Sequence, residues 1–158
     1  MAFNFNAEEI FRIAEQIEKN GADFYKKASE KISDSHFKKL LADLSSMETE
    51  HLKIFTTMHS LLTEKEKEPT VFDPMDESLL YLKSLADMEV FYKKELDFSS
   101  MKTILMTAID MEKDSIVFYA GMKDLVPEQL GKDKLDNIIG EEKKHVRLLA
   151  DQLKNFKK

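Results

Sequence analysis

The sequence predicts an all-α protein: a four-helix bundle with one long crossover connection that contains an extra helix. Three observations lead there. Punctuation is sparse, with four Gly and three Pro in 158 residues, in a composition rich in Leu, Met, Lys and Glu. Apolar residues recur at helical spacing through four long stretches. A middle segment bounded by prolines separates the first two stretches from the last two, and no stretch alternates at the period of a strand.

The first helix starts near Asn6, where Asn6 and Glu9 form an N-cap with an acid three residues later. Its stripe runs through Ile10, Ile13, Ala14, Ile17, Gly21, Phe24, Tyr25 and Ala28. Ser33-Asp34-Ser35 ends that helix and caps the second, which carries Phe37, Leu40, Leu41, Leu44, Met47, Leu52, Phe55 and Met58 and fades between Thr63 and Glu68. Pro69 and Pro74 then break the chain, and Asp76 to about Leu96 reads as a shorter helix. Asp97-Phe98-Ser99-Ser100 caps a third long helix bearing Ile104, Leu105, Ala108, Met111, Phe118, Tyr119 and Met122. Pro127 marks the next boundary, and the last helix runs from about Asp133 to Asn155. The connection from about Thr63 to Ser100 is long enough to cross the bundle, so the second and third long helices can lie parallel.

The length fits one domain spanning residues 1–158. With no Cys, disulfides, zinc-thiolate sites, iron–sulfur clusters and thiol catalysis are excluded. The N-terminus has no basic region followed by an apolar run, and no stretch approaches a membrane span. A soluble, cytoplasmic protein with no membrane partner is expected. The formal charge of −6 is spread over interleaved acids and bases, which leaves no footprint for nucleic acid.

The informative residues interrupt the apolar faces. In the second helix the core row reads Leu41, Leu44, Glu48, His51, Phe55, Met58; in the last it reads Leu135, Ile138, Glu142, His145, Leu149, Gln152. The first helix gives Phe11, Ala14, Glu18, Gly21, Tyr25, Ala28, and the third gives Leu105, Ala108, Glu112, Ser115, Tyr119, Met122. A lone carboxylate in such a row costs several kcal/mol or takes up a proton, so something must compensate. The small residues beside Glu18 and Glu112 leave room around the carboxylate. The hydroxyls of Tyr25 and Tyr119, from the next turn but one, are placed to donate to a ligating carboxylate.

These rows repeat. Glu18 and Glu48 are 30 residues apart, as are Glu112 and Glu142, and a shift of 94 aligns the two halves throughout. Pseudo-twofold symmetry follows, with each half supplying three ligands to a central pair of metal ions. A single Glu-x-x-His on a helix is ordinary; four core carboxylates and two histidines in duplicate register are not. The metal ligands expected are Glu18, Glu48, His51, Glu112, Glu142 and His145. Glu48 and Glu142 bridge, each His caps one metal, and Glu18 and Glu112 are terminal. No catalytic residue beyond these ligands is identified. Four carboxylates neutralise two divalent cations, and carboxylate with imidazole suits iron or manganese, with iron preferred. His36 and His59 fall outside the repeat and read as surface residues; Glu15, Glu50 and Glu141 fall off the core row and read as non-ligands.

The stretches EKNGADFY, METEH, MEKDSIVFY and EEKKH, spread over all four long helices, resemble the rubrerythrin group of the ferritin-like superfamily. That resemblance implies a di-iron carboxylate site and a helical oligomer, often a homodimer. It implies reduction of peroxide or oxygen, or the oxidation and storage of iron. Rubrerythrins usually carry a second Glu three residues after the third-helix ligand, which exchanges with a His as the iron changes redox state; here that position is Ser115. They commonly end in a Cys-rich electron-delivering domain; here the donor must be an external redox protein. The function expected is a di-iron oxidoreductase of the peroxidase type, using an external electron donor. The alternatives are a ferroxidase or iron-handling protein and a non-catalytic metal-binding protein.

Overall fold

The computed structural model describes residues 7–62, 77–87, 97–126 and 131–156. They form five helices: α1 (Ala7–Lys31), α2 (Ser35–Ser60), α3 (Glu77–Asp87), α4 (Met101–Lys123) and α5 (Lys132–Phe156). No strand occurs among the described residues. The expected ends Asn6 and Pro127, the fading of α2 after Thr63, Pro69 and Pro74, and the extension of α3 beyond residue 87 lie outside them.

The caps sit where the turn chemistry places them. The Asp34 carboxylate accepts from the Phe37 backbone N–H at the start of α2, and the Ser100 hydroxyl accepts from Thr103 N–H at the start of α4. Gly131 takes a φ of 106° just before α5, a conformation that costs other residues energy, and its carbonyl accepts from Leu135 N–H.

Two apolar clusters show how the helices run. One joins the N-terminal half of α1 and the C-terminal half of α2 with the C-terminal half of α4 and the N-terminal half of α5, through Phe11, Phe55, Phe118 and Ile138. The other joins the opposite halves through Phe24, Leu41, Ile104 and Leu149. So α1 and α2 are antiparallel, α4 and α5 are antiparallel, and α2 lies parallel to α4. The chain must therefore return along the bundle between them, over the roughly 39 Å that a 26-residue helix spans. The short α3 packs on α4 during that return. There Gly121 admits it closely: a Cβ at this position would lie 3.2 Å from Leu82 Cδ1. This is the ferritin-like arrangement, and no helix among the described residues is long and apolar enough to cross a membrane.

Candidate metal centre

Between the two apolar clusters lies a polar layer. Glu18 of α1, Glu48 and His51 of α2, Glu112 of α4, and Glu142 and His145 of α5 are each less than a tenth exposed. Each occupies the point in its row where one cluster stops and the next begins. The rows read from the sequence are buried at every position except Gln152, which is half-buried and meets His36 instead.

The layer divides into two overlapping groups. Ligand atoms of Glu18, Glu48, His51 and Glu142 lie within 4.8 Å of one another, as do those of Glu48, Glu112, Glu142 and His145. Glu48 and Glu142 belong to both groups, and each remaining Glu and His belongs to one. His51 Nδ1 lies 2.6 Å from Glu142 Oε1, 3.4 Å from Glu48 Oε2 and 3.6 Å from Glu18 Oε1. His145 Nδ1 lies 3.4 Å from Glu112 Oε1, 3.8 Å from Glu142 Oε2 and 3.9 Å from Glu48 Oε1. The imidazoles stack at 6.0 Å with 19° between their planes.

Several of these atoms face one another without hydrogen-bond geometry. Glu48 Oε2, His51 Nδ1, Glu112 Oε2, both oxygens of Glu142 and His145 Nδ1 are buried with no hydrogen-bond partner. Leaving one buried polar atom unmade costs about 1–3 kcal/mol, and more when it is charged. Convergent lone pairs of carboxylate and imidazole are what a pair of hard or borderline cations would satisfy. The donor set therefore fits a binuclear metal site.

Without metal, protons must do the neutralising. Burial first, then the neighbouring Glu18 and Glu112 carboxylates, hold the Glu48 carboxyl well above the usual range. Burial and the Glu48 charge do the same for Glu142. Burial alone would lower His145, but Glu112 and Glu142 outweigh it and raise the imidazole to about 10. His51 is raised for the same reason, through Glu142, Glu18 and Glu48. Burial would raise Glu112 too, yet the close approach of Glu142, His145 and Glu48 takes it down to about 2.

The tyrosines act across the bundle. Tyr25 Oη donates to Glu112 Oε1 at 2.7 Å, and Tyr119 Oη donates to Glu18 Oε1 at 2.7 Å. Neither serves the carboxylate of its own helix, two turns away, because the side chain points inward to the facing helix. Burial, then the nearby carboxylates, push both phenols well above 10, so they stay protonated as donors. Ser115, in the place of a second Glu, donates to the Met111 carbonyl of its own helix at 2.9 Å. At the equivalent Gly21, an added Cβ would meet Glu48 Cδ at 3.5 Å, so the space beside that carboxylate is about one methyl group.

Two expectations, for Met47 and His59, need correction, and Glu141 makes a contact that spacing does not show. Glu141 is exposed, as its position off the core row implies, but its carboxylate bonds to His51 Nε2. Met47 was expected in the core stripe of α2; it is 43% exposed, with its Sδ 3.2 Å from His145 Nε2. His59 is half-buried rather than on the surface: Nδ1 lies 2.6 Å from Glu15 Oε1, Nε2 lies 3.7 Å from Glu8 Oε1, and the ring stacks on Phe11. His36 is exposed as expected. Met47 and Glu141 each directly precede a shared Glu and correspond at the shift of 94, so the repeat itself pairs them.

Comparisons with known proteins agree with this architecture. No model of a described protein family matches the chain. An uncharacterized protein of Archaeoglobus fulgidus is 40% identical over 55 residues, which cover 35% of this chain and 86% of that protein. A crystal structure from Thermotoga maritima, described as a candidate ferritin-like diiron-carboxylate protein, superposes with a TM-score of 0.71 over 98% of each chain at 26% identity.

Proposed function

We propose, for a chain that belongs to the same family as its archaeal relative and has the ferritin-like fold, that Glu18, Glu48, His51, Glu112, Glu142 and His145 hold two iron ions and reduce peroxide or oxygen. The observation that carries this reading is the pair of four-residue groups sharing Glu48 and Glu142, with their lone pairs unpartnered. The solved ferritin-like neighbour, described as a diiron-carboxylate protein, supports iron over other cations.

Each residue has a part. Glu48 and Glu142 span both positions, so they hold the two ions together; His51 and Glu18 serve one, and His145 and Glu112 the other. Tyr25 and Tyr119 fix the outer carboxylates by donating to Oε1 of each. The apolar clusters on either side exclude water, so a small oxidant meets the site with few competing hydrogen bonds. Iron bound there would supply the two electrons that, with two protons, convert hydrogen peroxide into two waters. The two electrons would be restored by an external electron donor.

The experiment is metal analysis and optical spectroscopy of protein purified without added metal, before and after peroxide, followed by turnover with an added donor. Two iron per chain and an absorption band that appears with peroxide and bleaches on reduction are expected. Bound iron that never changes oxidation state would leave a merely structural site. Iron that leaves the site on oxidation and accumulates would instead make it a ferroxidase.

A further inference from the structure

The two halves of the centre differ at the equivalent positions that touch the far side of each histidine, 47 and 141, and we infer that this pair makes the metal positions unequal in affinity, the position at His51 filling before the one at His145. The inference rests on the metal site proposed above. Glu141 bonds to His51 Nε2, while Met47 presents its thioether to His145 Nε2 at 3.2 Å. The two residues correspond under the internal repeat, and each precedes a shared Glu by one position. Neither is core packing: the Glu141 side chain is 53% exposed and Met47 is 43% exposed.

The chemistry at the far nitrogen decides what the near nitrogen can do. A neutral imidazole that offers its Nδ1 lone pair carries its proton on Nε2. At His51 that proton meets a carboxylate, which fixes the tautomer, holds the ring in place and makes Nδ1 a stronger donor. At His145 it meets a thioether, a weak acceptor that does little of this. Glu141 also adds a negative charge beside one position alone. The geometry follows the same sense: His51 Nδ1 comes to 2.6 Å from its nearest carboxylate oxygen, His145 Nδ1 only to 3.4 Å. Glu141 and Met47 are thus positioning residues that act through the histidines.

Calorimetric titration of the metal-free protein with Co²⁺ tests this, with no reference to catalysis. Two steps of unequal affinity are expected for the native chain. E141M should weaken the tight step by about 10- to 100-fold, the usual cost of losing a ligand's outer partner, and leave the weak step in place. E141Q keeps an acceptor oxygen and should fall between. M47E should tighten the weak step alone, a gain that damage to the fold would not produce. Two equal steps in the native protein, or variants that move both steps together, would overturn the inference while leaving the metal site standing. A native protein that binds no Co²⁺ would overturn the metal site as well.

Discussion

Removing the metal should make the protein's stability fall with rising pH, and refilling the site should abolish that fall. His145 titrates near 6.5 in an unfolded chain and at about 10 in the metal-free folded protein. A group raised in this way contributes fully below 6.5, and its contribution is lost as pH climbs through about 10. Between those limits the folded state holds one proton that the unfolded state has released. That costs about 1.4 kcal/mol per pH unit, or about 2 kcal/mol from pH 7.5 to 9.0. His51 is raised in the same direction, so a second proton brings the loss to about 4 kcal/mol over the same window. Metal bound as proposed would take up Nδ1 of both rings and displace their protons, and this dependence should then disappear. Urea unfolding of metal-free and Mn²⁺-saturated protein at pH 7.5 and 9.0 measures the effect, because groups outside the centre contribute equally to both and the raised Glu48 and Glu142 carboxyls act in the same direction as the histidines. The gap between the two forms should widen by about 2–4 kcal/mol with pH. Parallel stabilities would refute the assignment of these imidazoles as proton holders that metal displaces.

Three further outcomes follow from the same geometry. Glu142→Gln should lower the content of both metals because Glu142 serves both groups, whereas Glu18→Gln should spare the ion held by Glu112 and His145; metal analysis of the two variants distinguishes the roles. Tyr119→Phe leaves Glu18 Oε1 without its donor and should cost about 1–3 kcal/mol in a denaturant titration of the metal-free protein. Gly140→Ala, in the middle of α5 with nothing within 4 Å of the added Cβ, should stabilise by about 0.5–1 kcal/mol, read as a raised urea midpoint.

The helices and the six inward polar residues were legible because both signals are local. A helix face is set by spacing along one segment, and a carboxylate amid Leu44 and Phe55 or Ile138 and Leu149 is anomalous without knowing what lies opposite. Gln152 marks the limit, since it continues the row near the end of α5, where the bundle no longer covers it. What crosses between helices was not legible. Tyr25 and Tyr119 sit in register with carboxylates on their own helices, and only the packing of α1 against α4 sends their hydroxyls to the opposite one. Glu141 and Met47 were hidden for a related reason. Glu141 falls off the core row and Met47 reads as part of the apolar stripe, so neither spacing reveals an exposed side chain that reaches a histidine of the facing helix. His59 was misplaced because the acids that surround it come from α1.

The exchanged tyrosine bonds bear on how such a chain holds together. A hairpin of α1 and α2 contains Glu18, Tyr25, Glu48 and His51, one of every side chain the centre uses. By itself it leaves Tyr25 without an acceptor and Glu18 without its donor; the α4–α5 hairpin has the mirror-image deficit. The missing pieces are complementary, so two hairpins related by a twofold axis would satisfy each other whether or not a peptide linked them. In the present chain the link makes that association intramolecular, and prying the hairpins apart dismantles both positions of the centre at once. Assembly of the centre and closure of the bundle are consequently one event, with no half-built centre along the way.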